Sequence, residues 1–217
     1  MIKIKTFEST DNLYTEVKKV LKVTLTQIGQ LMLSGGKTPY KIYNEIGIEK
    51  YVVNPNCTIF LSDERCVPPD STYNNSFNLL PMLNALKIRS QFIQIRTDIS
   101  PKEASLIYND ELKKMNNINL GLLGIGLDGH TAGIFSKKDI INSKTLSQYC
   151  IRPDGYHGVS VSASLIQKID KIIIIATGDE KKSILQRLKN YPESIPAGII
   201  MKSHKNAEVW TDIILKD

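Results

Sequence analysis

Short runs of apolar residues recur along this chain, separated by stretches in which apolar positions return every three or four residues. The short runs suit strands buried on both faces, and the wider spacing suits helices with one buried stripe. The pattern predicts strands at residues 2–7, 30–33, 58–62, 92–95, 120–125, 158–163, 171–176 and 208–210. It predicts helices at 12–27, 39–46, 101–115 and 179–190, the third opening with Ser100 as N-cap and Pro101 at its first position. Strands alternating with helices place the chain in the α/β class, with a mostly parallel sheet covered by helices. No repeat or low-complexity linker interrupts the pattern, so residues 1–217 are read as one domain.

Composition narrows the function classes. Hydrophobic residues make up 41% and charged residues 23%, values of an ordinary globular chain. The apolar run at 172–176 is far short of the ~20 residues that cross a bilayer, so no membrane association is expected. The start, MIKIKTFEST, lacks the apolar core of a secretory signal, which points to the cytoplasm. Cys57, Cys66 and Cys150 are odd in number and form no CxxC, so free thiols are expected rather than disulfides or a structural zinc. The net charge of +6 is spread over single lysines and pairs such as Lys181-Lys182. With no basic block and no interleaved aromatics, a small acidic substrate suits this charge better than nucleic acid.

In open α/β sheets, ligands sit outside the carboxyl ends of strands, and three polar loops lie there. The first is LSGGKTP at 33–39. Gly35 and Gly36 let the backbone turn and present N–H groups, Ser34 and Thr38 add hydroxyls, and Pro39 opens a helix whose N-terminus favours an anion. It reads as a phosphate cradle that includes Lys37; a P-loop would require glycine where Leu31 stands. The second loop, FLSDERCVPPDSTYNNS at 60–76, gathers Asp63, Glu64, Arg65, Asp70, Asn74 and Asn75 around a stiff Pro68-Pro69. The third, GLLGIGLDGHTAG at 121–133, carries Gly124, Gly126 and Gly129 in a GxGxxG spacing. A dinucleotide fold would place an acid about 20 residues on, where Gln148, Tyr149 and Cys150 stand instead. His130 can therefore serve as general base, with Asp128 two residues away to orient it. His157 and His204 read as structural.

Taken in order, LSGGKTP, SDERCVPPDSTYNN, GIGLDGHTAGIFS, VSVSASLIQKIDKIIIIATGDEKK, IPAGII and Val209-Trp210 resemble the 6-phosphogluconolactonase family, within the superfamily that also holds glucosamine-6-phosphate deaminase. The resemblance implies a three-layer α/β/α fold with a mostly parallel, Rossmann-like sheet of the NagB-like type. It implies hydrolysis of a phosphosugar lactone, 6-phospho-D-glucono-1,5-lactone, in the oxidative pentose phosphate pathway, with no metal and no organic cofactor. It also implies that His130 activates water; Asn75 lines the sugar pocket, Gly129 is counted among the substrate- or phosphate-binding residues, and a monomer or weak dimer is expected. Arg65 is the candidate cation for the oxyanion, with Asp63 and Asp128 orienting Arg65 and His130. The deaminases carry Asp-Glu-Tyr in the second motif and a glutamate after the histidine loop, and this chain has Arg65 and Gly-Ile-Phe-Ser at 133–136.

Two departures stand out. The family often has arginine before the Val-Ser-Val-Ser strand, where this chain has Gly158, and serine where it has Lys37. Lys37 together with Lys181 can supply the missing charge, or the segment IRPDGYHG can bring Arg152 into the site.

Overall fold

The computed structural model describes residues 2–49, 51–141 and 144–215. In chain order its elements are β1 (Lys3–Thr6), α1 (Thr10–Leu25), β2 (Gly29–Leu33), α2 (Lys37–Ile48), β3 (Cys57–Leu61), β4 (Asp63–Arg65), α3 (Asn75–Ala85), β5 (Phe92–Ile93), α4 (Pro101–Lys113), β6 (Ile118–Gly124), α5 (Lys137–Ile141), β7 (Ser147–Ile151), β8 (His157–Val161), α6 (Ala163–Ile166), β9 (Ile172–Ala176), α7 (Lys182–Asn190), α8 (Pro196–Ser203) and β10 (Ala207–Thr211). Seven strands pair in parallel in the order β1-β10-β9-β6-β2-β3-β5. β4, β8 and β7 form a separate antiparallel sheet.

Every residue of β9 is buried, as are five of the seven in β6, so both faces of the central sheet are covered. α1 shows how the sequence builds a covering layer. The Ser9 hydroxyl accepts the Asn12 N–H at its start, and Leu13, Tyr14, Val17, Leu21 and Leu25 return every three to four residues on its buried face. Each such side chain contributes about 1.5–3 kcal/mol by leaving water, so Leu21→Ala alone would cost about 2–5 kcal/mol. Asn74 caps α3 in the same manner, through the Phe77 N–H.

Several boundaries differ from the pattern reading. α2 begins at Lys37 rather than at Pro39, because Gly36, with φ 126°, turns the chain two residues sooner. The predicted 158–163 strand runs over His157–Val161 and lies in the small sheet, with Ser162 capping α6 instead of extending the strand. The predicted helix at 179–190 opens as a 3₁₀ turn, Asp179–Lys181, before α7. α3, which contains Pro81, was concealed by that proline, and the three-residue β4 is too short to show a period.

The order of the sheet decides where a ligand can sit. From β2 the chain builds outward through β3 to β5, then crosses back to lay β6 on the other side of β2. The carboxyl ends of β2 and β6 therefore flank the switch point, where successive connections diverge and leave a crevice.

Candidate active site

A cavity of about 410 Å³ opens at this switch point, a volume in the range of small-molecule sites. The loop after β2 lines it with Ser34 through Thr38, the loop after β6 with Gly124, Gly126 and His130, and the loop after β9 with Thr177, Glu180 and Lys181. Asp63, Arg65 and Arg152 enter from the small sheet and its hairpin turn.

β6 delivers its loop as a tight turn, with the Gly126 N–H donating to the His130 carbonyl and the Gly129 N–H to Gly126. Within this turn Asp128 Oδ1 accepts the His130 backbone N–H at 3.1 Å and stands 2.6 Å from its ring Nδ1. An ionised carboxylate only accepts, so Nδ1 is the ring nitrogen that donates to it, and in the neutral ring Nε2 carries the lone pair. Burial would raise the Asp128 carboxyl, but the backbone and ring N–H groups of His130 outweigh it and hold Asp128 below the usual carboxylate range. The imidazole is 27% exposed, open enough to meet water, and its other face packs on Phe135 with ring centroids 4.8 Å apart. A Cβ at Gly126 would come within 2.2 Å of His130 Nδ1 and 2.5 Å of Asp128 Oδ1. The middle glycine of the GxGxxG spacing thus makes room for the acid–imidazole pair.

The phosphate-cradle loop joins the rest of the site through side chains. Thr38 Oγ1 lies 3.1 Å from Thr177 Oγ1, tying the loop after β2 to the loop after β9. Lys37 is exposed at the first position of α2, where helix N–H groups have no partner within the helix and favour an anion. Gly35 rests on Asn75, whose Oδ1 would lie 2.2 Å from a Cβ there. Asn75 is fully engaged: Oδ1 accepts from the Tyr40 hydroxyl, Nδ2 donates to the Asp63 carbonyl, and its N–H donates to Glu64. It lines the cavity and supports the cradle through Gly35.

Lys181 faces the cavity, but its ammonium donates to the Ile125 carbonyl at 2.7 Å. Desolvation draws it below the usual lysine range, against the pull of Glu180 and Asp128. Lys37, Lys181 and Arg152 all line the cavity, and Arg152 is the one that lies beside Gly158. Its Nη1 lies 3.1 Å from Asp63 Oδ2, with the two side chains 9% and 12% exposed. Its guanidinium also covers Phe135, 5.3 Å from the ring centroid, so one ring supports both Arg152 and His130. A Cβ at Gly158 would press to 2.9 Å on the Glu64 carbonyl and lie 3.7 Å from Arg152 Cδ, so the glycine leaves that space to the arginine.

The remaining expected residues divide. Asp63 turns to Arg152 rather than to Arg65, because the β7–β8 turn lays the Arg152 stem beside Gly158. Arg65 lines the cavity and donates to the Tyr73 carbonyl at 3.5 Å. Gly129 is buried against Ile195 and does not line the cavity. His204 is structural, with Nε2 on the Ile169 carbonyl and Nδ1 on the Asn206 N–H, and His157 stacks on Tyr149. Burial pushes the Cys66 thiol up to about 11, consistent with an inert cysteine.

Glu64 was not singled out among the charged residues of its loop, although it is fully buried. It accepts the N–H groups of Arg65, Asn75 and Ser76 and the Ser76 hydroxyl. Three adjacent charged residues give no sign in sequence of which one points inward; the Asn-Asn-Ser start of α3 is the only hint of N–H groups needing an acceptor. Among the described residues no helix is long and apolar enough to cross a membrane.

Residues 8–210 match a family described as glucosamine-6-phosphate isomerases/6-phosphogluconolactonase. A 6-phosphogluconolactonase of Treponema pallidum is 32% identical over 181 residues, covering 76% of this chain and 75% of its own. One of Helicobacter pylori is 26% identical over 183 residues, covering 81% and 79%. In fold, the chain resembles the crystal structure of 6-phosphogluconolactonase from Thermotoga maritima, with TM-score 0.84 and 22% identity over 97% of this chain and 99% of that one.

Proposed function

The chain belongs to the glucosamine-6-phosphate isomerase/6-phosphogluconolactonase family, and from that premise we propose that it hydrolyses 6-phospho-D-glucono-1,5-lactone to 6-phospho-D-gluconate, the lactone-opening step of the oxidative pentose phosphate pathway. The observation that carries this reading is His130, its Nδ1 2.6 Å from Asp128 Oδ1, in one cavity with the Gly35–Gly36 loop and the side chains of Lys37, Arg65 and Arg152.

Asp128 holds Nδ1–H, so Nε2 of His130 takes a proton from a water molecule as its oxygen bonds to the lactone carbonyl carbon. Negative charge moves to the carbonyl oxygen, where the Arg65 guanidinium stabilises it. Collapse of the tetrahedral intermediate breaks the bond from that carbon to the ring oxygen, which takes the proton back from the imidazolium. The base is restored and the product is the open acid. The N–H groups and hydroxyls of Ser34–Thr38, with Lys37, hold the phosphate, and Lys181 closes the base of this subsite through Ile125.

A deaminase would use an acid after the histidine to assist sugar-ring opening. Residues 131–138 contain none, and the next acid, Asp139, accepts the Phe135 and Ser136 N–H groups and the Ser136 hydroxyl. The test is hydrolysis of freshly generated 6-phosphogluconolactone coupled to 6-phosphogluconate dehydrogenase and compared with spontaneous opening. A rate above that blank, with no ammonia released from glucosamine 6-phosphate, supports the lactonase; the reverse pattern overturns it.

A further inference from the structure

The β7–β8 hairpin turns through Arg152–Tyr156, closed by the Arg152 N–H on the Tyr156 carbonyl and the Gly155 N–H on the Arg152 carbonyl. At its tip Asp154 Oδ2 stands 3.5 Å from Arg152 Nε and 3.6 Å from Arg65 Nε. One carboxylate therefore lies between the two guanidiniums that line the cavity. Tyr156 in the same turn packs on Tyr73, ring centroids 5.9 Å apart, and Tyr73 supplies the carbonyl that meets Arg65 Nη1. Turn and loop are thus bound together on both sides of Arg65.

The two arginines differ in how firmly they are held. Arg152 is gripped at both edges, Nη1 by Asp63 and Nε by Asp154. Arg65 Nε is buried with no hydrogen-bond partner, and among the described residues Asp154 is the only carboxylate within 4 Å of that guanidinium. A buried donor without an acceptor is costly, and a carboxylate just beyond hydrogen-bond distance is the group positioned to relieve it. Two neighbouring guanidiniums also repel, and the shared carboxylate offsets that repulsion while fixing the plane of each fork.

We propose that Asp154 is a positioning residue: it holds Arg65 and Arg152 side by side by their Nε edges, so that their outer nitrogens form one preorganised surface for negative charge on the substrate. This rests on the lactonase reading for its kinetic consequence but not for its geometry. The Tyr156 N–H on Asp154 Oδ1, at 3.3 Å, fixes the carboxylate within the turn.

Asp154→Asn separates this role from simple charge. If Asp154 were only a nearby negative charge, its removal would make the cavity more positive, lowering KM for an anionic lactone or leaving it unchanged, with kcat intact. A positioning residue gives the opposite: kcat falls about tenfold without a matching loss of melting temperature, and Asp154→Glu recovers most of it. Wild-type kcat in Asp154→Asn would overturn the proposal. The geometry is read independently from the arginine Nε–H signals in ¹⁵N-resolved NMR. Two slowly exchanging signals in the wild type, both altered in Asp154→Asn, are expected, and an unchanged spectrum would overturn the proposal. Should the wild type fail to open 6-phosphogluconolactone above the blank, the functional reading falls and the NMR result alone decides the role of Asp154.

Discussion

Nδ1 of His130 lies 2.6 Å from Oδ1 of Asp128, and the same carboxylate oxygen accepts the His130 backbone N–H at 3.1 Å. A single oxygen thus fixes both the donor nitrogen and the tilt of the ring, leaving Nε2 for the role of base proposed above.

Asp128→Asn should therefore reduce kcat nearly as far as His130→Ala, by about 100-fold or more, because an amide can turn its N–H to the ring and leave the lone pair on the wrong nitrogen. Initial rates in the coupled dehydrogenase assay, corrected for spontaneous opening, measure both. Asp128 is held below the usual carboxylate range by His130, so it stays ionised at neutral pH, and its contribution is lost only as pH falls through that lowered value. Equal kcat in wild type and Asp128→Asn would remove the orienting role.

Gly126→Ala tests how tightly this pair is built. The added methyl would meet both His130 and Asp128, and the ring must tilt away. A kcat loss of about tenfold or more, with KM little changed, is the expected outcome.

Much of this site was legible in the chain. His130 and Asp128 are two residues apart in a turn after an apolar strand, and Ser34–Thr38 are consecutive, so local spacing was enough to group them. The main-sheet strands were equally readable, since a run such as 172–176 has only one way to be buried on both sides. The small sheet was not. β4 is three residues long, and in β7 only Ser147 and Cys150 are buried, which shows no period of two. The Asp63–Arg152 contact spans 89 residues, and nothing local in IRPDGYHG signals which carboxylate its arginine will meet.

Arg152→Gln strands Asp63 in a buried setting, where breaking one side of an ion pair costs about 3–5 kcal/mol. Denaturant unfolding should show that loss, and adding Asp63→Asn should recover part of it. If Asp63→Asn/Arg152→Gln is no more stable than Arg152→Gln, the pair is not coupled.

Lys37 is exposed and touches the cavity from the first turn of α2, where on the proposed reading its charge meets the phosphate. Lys37→Ala should raise KM for the phosphorylated lactone by about tenfold with kcat unchanged, and leave opening of unphosphorylated gluconolactone as it was. An equal loss on both lactones would place Lys37 at the carbonyl instead.

Burial pushes Glu64 from an ordinary value near 4.5 up to about 7, against the Asn75 and Ser76 N–H groups that pull it down. Between those two values the folded chain keeps a proton that the unfolded chain has released. Stability therefore falls as pH rises across that window and levels off above it. Thermal melts from about pH 5 to about pH 8 should show the decline. Glu64→Gln should melt lower throughout, because its amide N–H₂ faces N–H donors, and should lose the slope.

The two halves of the site have different reach along the chain. Asp128 and His130 belong to one short turn, whereas Arg152 meets Asp63 across 89 residues of chain. Closing so long a loop is entropically expensive and slow. On the proposed reading, a chain that lets go of its hairpin keeps the turn of the base but loses the arginine pair that meets negative charge at the reacting carbonyl. Heat or mild denaturant should accordingly lower kcat on phosphorylated and plain lactones alike before the fold as a whole melts.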